Sequence, residues 1–76
     1  MGLPRHMYAI VGANLSAGRQ TQGLAVDQVA QWLGVDTAVV EAVENGRQIT
    51  TSMELQRLCR LYRLELRSMF ERPMLH

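Results

Sequence analysis

Apolar residues recur along the chain at the spacing of helical faces, and polar or glycine-containing stretches separate the runs. The run from Ile10 to Leu15 predicts a first helix over residues 8–22, which Gly23 ends because glycine readily adopts the left-handed backbone that closes helices. A second helix is predicted by four apolar residues at the i, i+3, i+4, i+7 spacing of one helical face. They are Val26, Val29, Ala30 and Leu33. Gly34 ends that helix.

The second half of the chain predicts three further helices. Asp36 is placed to cap a third helix over residues 38–44, which Asn45 and Gly46 terminate. Ser52 is expected to cap a fourth helix. The apolar face of that fourth helix is Leu55, Leu58, Cys59 and Tyr62. Residues 64–70 predict a short fifth helix, so the pattern indicates an all-α fold.

Two short helices joined by a tight turn form a helix-turn-helix pattern. Here Gly34 allows the turn and Ala30 lets the two helices approach closely. With this spacing the chain resembles the Cro/cI-type (Xre) helix-turn-helix family of phage repressors and small bacterial transcriptional regulators. The segments that carry the resemblance are "VGANLSAGRQTQGL", "VAQWLGVDTAVVEAVENGR" and "LQRLCRLYRLELRSMF".

The resemblance implies a compact five-helix bundle of the lambda-repressor-like (Cro/cI) type. We expect a single helix-turn-helix domain over residues 7–72, with its reading unit at about 25–46 and a tail at 73–76. Residues 1–6 are expected to be either an expression-tag remnant or a disordered N-terminus.

The function that the resemblance implies is sequence-specific DNA binding by a dimeric repressor that reads the major groove with the helix over residues 36–45. The residues expected to meet bases are Thr37, Ala38, Glu41, Ala42 and Asn45. The residues expected either to hold the DNA backbone or to form an ordinary polar loop are Arg47, Gln48, Thr50, Thr51 and Ser52. The resemblance also implies a structural ion pair between Arg19 and Glu44.

Charge is distributed unevenly along the chain. Residues 25–46 hold four acidic residues and no basic one, whereas residues 47–72 hold six Arg against three Glu. The predicted reading helix therefore lacks the Arg that makes bidentate contacts with guanine. Ala25 and Val26 also stand where the family usually has a capping Ser or Thr and a phosphate-binding Gln, so one typical backbone contact is missing.

These departures favour an alternative function, a protein-binding helix-turn-helix module that has lost DNA binding and sequesters another regulator, as an antiactivator does. The residues of its expected interface are Val26, Trp32 and Val39, since Trp is enriched in binding hot spots. The other interpretation of Trp32 is partial burial against its own domain.

Three further groups of residues have two interpretations each. The first group is expected to form a solvated helix face, and the alternative is a contact for an acidic partner or DNA. Its members are Arg57, Arg60, Arg63 and Arg67. Cys59 is expected to be a small buried hydrophobe, with redox sensing as the alternative. The residues expected to form either core or the seam of a homodimer are Met69, Phe70, Met74 and Leu75.

Composition excludes several classes of protein. A chain of 76 residues with one cysteine, without a Cys/His set of zinc-site spacing and without a phosphate-binding glycine loop offers no enzyme site. We therefore expect no catalytic residue, cofactor, metal or small-molecule substrate, and no membrane partner, because no apolar run is long enough to span a bilayer. Double-stranded DNA, a second copy of the chain and a partner regulator are the expected partners, in the cytoplasm.

Overall fold

The computed structural model describes residues 2–72. Within this range the chain folds into four α-helices followed by a short 3₁₀ helix. The α-helices are α1 (Arg5–Thr21), α2 (Val26–Leu33), α3 (Thr37–Glu44) and α4 (Ser52–Tyr62), and the 3₁₀ helix is Leu66–Phe70. The all-α prediction is confirmed for the described residues, in which no strand occurs, but the fifth predicted helix is a 3₁₀ helix rather than an α-helix.

The turn between α2 and α3 forms where the sequence predicts it. Gly34 has φ 78° and closes α2, and its backbone N–H donates to the carbonyl of Ala30 at 2.9 Å. A side chain at this left-handed position would be strained, which explains the glycine. Asp36 is the N-cap residue of α3, as predicted, although its side chain makes no capping hydrogen bond.

Two predicted helix starts differ from the structure. Helix α1 begins at Arg5, three residues before Tyr8, with Pro4 at its N-cap. The N-cap of α4 is Thr51, not Ser52: the Thr51 hydroxyl accepts from the Glu54 N–H at 3.1 Å, and the Glu54 carboxylate accepts from the Thr51 N–H at 3.0 Å. This reciprocal capping box satisfies two helix-end donors, so Thr51 is the better cap.

The core lies where the four α-helices and the 3₁₀ helix meet. Its buried apolar residues are Val11, Leu15, Val29, Ala30, Val40, Val43, Leu55, Leu58, Cys59, Tyr62 and Met69. All four apolar residues predicted for α4 are among them. Arg63, with φ 59°, ends α4 in the left-handed conformation and turns the chain back toward α1.

Asn14 fixes the C-terminal part of the described chain to α1. Its side-chain amide lies within hydrogen-bonding distance of the backbone carbonyls of Ser68 (3.2 Å), Met69 (2.9 Å) and Glu71 (2.7 Å). One polar side chain thus orients the 3₁₀ helix, whose Met69 side chain enters the core. The periodicity of apolar residues does not predict this contact between Asn14 and the 3₁₀ helix.

Gly12 of α1 allows α1 and α3 to approach closely. A Cβ at this buried position would clash with the backbone carbonyl groups of Val43 and Glu44 at the end of α3. The helix therefore tolerates the propensity cost of a glycine, about 1 kcal/mol relative to Ala, because only glycine fits the contact.

Candidate nucleic-acid interface

Helix α3 presents one polar face to solvent. Thr37, Ala38, Glu41 and Asn45 are exposed and Ala42 is half-buried, so the residues expected to meet bases share one side of the helix. The valines predicted to face inward, Val40 and Val43, are buried. The structure thus brings together on one surface all five residues expected to meet bases.

An ion pair fixes α3 to α1. Arg19 Nε donates to Glu44 Oε2 at 2.8 Å and Arg19 Nη2 donates to Glu44 Oε1 at 3.1 Å. Arg19 Nη1 also donates to the carbonyl of Leu24 at 2.8 Å, which ties the connection between α1 and α2 to the same guanidinium. The hydrogen bond to the Glu44 carboxylate raises the pKa of Arg19, although burial works in the opposite direction. Arg19 and Glu44, which the family resemblance pairs, are therefore in contact. Their side chains position α3 and are not part of its exposed face.

Tyr62 lies in the core close to this ion pair. Its side chain is almost fully buried, and burial together with the negative charge of Glu44 raises the pKa of Tyr62 to about 12. The phenol is therefore neutral at physiological pH. Its role is structural.

The loop after α3 provides only part of the expected DNA-backbone contact. Arg47, Gln48 and Ser52 are exposed and can reach a phosphate. The prediction that Thr50 contacts the DNA backbone is wrong. This residue is only 7% exposed, and its hydroxyl makes no hydrogen bond with the described residues. Thr51 is exposed, but its hydroxyl already caps α4, so its side chain is engaged within the domain.

The surface around α3 carries unneutralised acidic charge. Asp27, Asp36 and Glu41 form no ion pair with any described residue, and Glu44 alone of the four acids in this region is neutralised. Arg47 stands at the edge of this surface and is likewise without a carboxylate partner in residues 2–72. Any contact with phosphates must therefore come from the flanks of α3 rather than from its exposed face.

The start of α2 is partly occupied by its own side chains. The Ala25 N–H donates to the Gln28 side chain at 2.8 Å, and Asp27 Oδ1 accepts from the Gln28 N–H at 3.0 Å. Gln28 thus supplies half of a capping box, and Ala25 cannot supply the other half. Because Asp27 is negatively charged and the N–H groups of Ala25 and Gln28 already have acceptors, the start of α2 is a poor site for a phosphate. This agrees with the sequence, in which the residues that usually contact the DNA backbone here are missing.

The apolar residues proposed for a protein interface differ in their exposure. Trp32 is 43% exposed, whereas Val26 and Val39 are half-buried, and Val26 packs against the core. The guanidinium carbon of Arg57 lies 4.7 Å from the centroid of the Trp32 ring. Trp32 therefore packs partly against its own domain while keeping an exposed edge, and its arginine partner was not predicted from the sequence.

The remaining predicted residues take ordinary structural positions. Cys59 is buried, and burial raises the pKa of its thiol, which disfavours the reactive thiolate. Met69 is core, so its side chain has no surface to offer a second copy of the chain, and Phe70 is half-buried. Met74 and Leu75 lie outside the described residues.

Other kinds of site find no support in residues 2–72. They contain no group of three or more His, Cys, Asp or Glu side chains arranged to hold a metal ion. None of the helices in the same range is both long and apolar enough to cross a membrane.

Comparison with known proteins identifies a family. A family described as Helix-turn-helix domain matches residues 10–70, which include all of α2, α3 and α4 and the 3₁₀ helix. No curated protein sequence and no solved structure matches the chain significantly.

Proposed function

Because the chain belongs to the helix-turn-helix domain family, we propose that it is a sequence-specific DNA-binding transcriptional regulator. The observation that carries the proposal is the exposed face of α3, which follows the tight Gly34 turn and holds every residue that the motif would turn toward bases. Domains of this family typically bind DNA without catalysing a reaction, and the proposal includes no enzymatic step.

In this function α3 lies in the major groove, and each exposed side chain has a defined chemistry there. The Thr37 hydroxyl donates to or accepts from a base edge, and the methyl groups of Ala38 and Ala42 contact thymine methyls. Glu41 accepts from the amino group of cytosine, and the Asn45 amide pairs with adenine. The face carries no arginine, so it cannot make the bidentate arginine contact with guanine.

Contacts to the DNA backbone come from the end of α3 and the start of α4. Arg47 supplies the charge, and Gln48, Ser52 and the backbone around Thr51 supply neutral hydrogen bonds. With few phosphates neutralised and acidic residues nearby, we expect modest affinity and a shallow dependence on salt, because the slope of log K against log salt scales with the number of phosphate contacts. A homodimer would place two α3 helices about 34 Å apart, one turn of DNA, and occupancy of such a site would repress transcription.

The experiment that tests this function is selection of duplexes from a random library by the purified protein, at low salt and again at physiological salt. We expect enrichment of a palindrome whose half-sites lie about one DNA turn apart. Failure to enrich any sequence at either salt, with a protein whose helical circular dichroism is intact, would contradict the proposal.

A matched pair of substitutions then tests how the duplex is held. Arg47→Gln should weaken binding to all selected sequences alike and reduce the slope of log K against log salt by about 1, because one phosphate contact is lost. Arg63→Gln, another exposed arginine, is the control and should leave both quantities unchanged. A larger effect of Arg63→Gln would place the backbone contact elsewhere.

The second candidate function is a protein-binding module of the antiactivator type, and the acidic surface around α3 favours it. Asp36 and Glu41 would repel phosphates but attract a basic segment of another regulator. The double variant Asp36→Asn, Glu41→Gln separates the two functions: it should strengthen nonspecific duplex binding by a regulator, because two charges that repel phosphates are removed, and abolish partner binding by a sequestering module.

A further inference from the structure

A groove opens between the end of α2 and the middle of α4, away from the residues assigned to DNA. Its lining is Trp32, Arg57, Arg60 and Leu61, and its volume is about 200 Å³. Trp32 and half-buried Leu61 supply its apolar surface, while Arg57 and Arg60 supply positive charge. None of these residues belongs to the exposed face of α3 or to the loop that follows it.

The contact between Trp32 and Arg57 organises this groove. With Cζ of Arg57 4.7 Å from the ring centroid, the guanidinium and the indole form a cation–π pair, which restrains both side chains. A guanidinium placed over a ring uses its flat face, so the N–H donors around its edge stay available for oxygen acceptors. An aromatic anchor and an oriented donor therefore stand side by side on the surface.

The two arginines of the groove have no carboxylate within the described part of the chain. The ion pairs formed there are Arg19–Glu44 and Arg67–Glu65, and neither includes Arg57 or Arg60. Trp32 also keeps 43% of its surface exposed despite the stacked guanidinium. The groove thus offers unsatisfied positive charge around an uncovered aromatic ring.

We propose that this groove binds an acidic segment of a partner protein, which covers Trp32 and Leu61 with an apolar side chain and places carboxylates on Arg57 and Arg60. Charge complementarity argues for an acidic occupant, because bidentate carboxylate pairs with arginine are strong and directional. The apolar lining argues for a protein rather than the DNA backbone, because the backbone presents mainly charged phosphates and offers little apolar surface to cover an indole. Tryptophan and arginine are also the residues most enriched in protein-binding hot spots.

The site stands apart from the proposed DNA interface in both residues and charge. The groove uses no residue of α3 and does not use Arg47. Binding of an acidic segment in the groove does not require DNA binding and is equally open to a domain that binds proteins alone.

The test uses a displayed peptide library enriched in Asp, Glu and apolar residues but lacking Trp, selected on the purified full chain at physiological salt. Trp32 is the only tryptophan of the chain, so its fluorescence reports occupancy of the groove directly. We expect enriched peptides to combine acidic residues with an apolar anchor, to change Trp32 emission, and to weaken as salt increases.

Substitutions then assign the binding to the groove. Trp32→Ala and the double variant Arg57→Gln, Arg60→Gln should each lower affinity for the enriched peptides about tenfold or more. Arg63→Gln, outside the groove at the C-cap of α4, should change this affinity less than about twofold. The arginine variants keep the test decisive if Trp32→Ala fails to fold, because both side chains are exposed.

Two outcomes would overturn the inference. One is a selection that yields no acidic peptide, or yields peptides whose affinity is unchanged by the Arg57→Gln, Arg60→Gln variant. The other is loss of binding to a nonspecific duplex in that variant, measured by fluorescence anisotropy, without any peptide binding in the parent protein; the groove would then be a nucleic-acid contact. Loss of duplex binding in Arg47→Gln with peptide binding intact would separate the two surfaces.

Discussion

Arg19 donates two parallel hydrogen bonds to the carboxylate of Glu44, at 2.8 and 3.1 Å, and so fixes α1 to the last residue of α3. Both side chains are mostly buried, 14% and 11% exposed. The same guanidinium holds the carbonyl of Leu24 at the start of the reading unit. One arginine thereby connects three segments, and the orientation of α3 on the surface depends on it.

Glu44→Gln should destabilise the fold, since it removes the charge that compensates buried Arg19. We expect the free energy of unfolding in urea to fall by about 2 to 3 kcal/mol, somewhat below the usual cost of breaking a fully buried pair. The matched control is Glu65→Gln, which breaks the Arg67–Glu65 contact, where both side chains are more than two-thirds exposed. Such a pair contributes little, so equal effects of the two substitutions would contradict the structural role of Arg19 and Glu44.

Gly12→Ala should also destabilise, although alanine is the stronger helix former. Propensity alone favours the alanine variant by about 1 kcal/mol. The added Cβ, however, meets backbone atoms of Val43 and Glu44, which cannot move without shifting α3. We expect a net loss of about 2 kcal/mol or more in the free energy of unfolding, together with weaker duplex binding.

Gly18→Ala provides the comparison for Gly12→Ala within the same helix. Its Cβ would meet side-chain atoms of Leu64 and Tyr62, and the leucine end can rotate away. We therefore expect a smaller loss of stability than for Gly12→Ala. A Gly12→Ala protein as stable as the parent would show that α1 and α3 are not held as closely as described.

Elements with local end signals were predictable from the sequence. Helix α2 is bounded as expected because Gly34 marks its end in the chain itself. The prediction places the N-cap of α4 one residue too late, at Ser52. Thr51 and Ser52 are both residues that cap helices, but only Thr51 has a Glu three residues later, and this capping-box spacing identifies it as the cap. The segment over 64–70 has helical apolar spacing, but it is too short for that spacing to distinguish an α-helix from a 3₁₀ helix.

Contacts between distant segments were not predictable from periodicity. Thr50 is buried because its loop packs over the core. The sequence could not predict this burial, since Thr50 is a polar residue in a polar stretch. The stacking of Arg57 on Trp32 requires α4 to lie beside α2, which no local pattern specifies. The ion pair of Arg19 with Glu44 was expected only through family resemblance.

Thr50→Val should be neutral or stabilising. Valine has nearly the shape of threonine, and the Thr50 hydroxyl is buried without a hydrogen bond to the described residues. Removing an unpaired buried polar group should change the free energy of unfolding by between zero and about +1 kcal/mol. Duplex binding should stay unchanged, because this side chain does not reach the surface.

The neighbouring Thr51→Val is the matched control for Thr50→Val. It removes the N-cap of α4, so we expect a loss of about 1 kcal/mol in the free energy of unfolding. If Thr50→Val were equally destabilising, the Thr50 hydroxyl would have a partner, such as a water held in the cavity of about 30 Å³ that it lines.

Stability should fall at alkaline pH because of Tyr62. Burial and the Glu44 charge raise its pKa in the folded protein to about 12, whereas an unfolded tyrosine loses its proton near pH 10. The stabilising contribution of the neutral phenol is therefore complete below about pH 10 and is lost as pH rises from about 10 to about 12. At 1.36 kcal/mol per pH unit, the loss across this window is about 2 to 3 kcal/mol.

Urea unfolding followed by circular dichroism from about pH 8 to about pH 11.5 measures this loss. Tyr62→Phe should reduce the loss above about pH 10, because the variant has no phenol to ionise at this position; the loss that remains comes from the buried Cys59 thiol, whose pKa burial also raises. Tyr8→Phe, which leaves Tyr62 in place, should keep the alkaline loss of the parent. A Tyr62→Phe protein that loses stability as steeply as the parent would assign the alkaline loss to other groups and would place the Tyr62 phenol in contact with solvent.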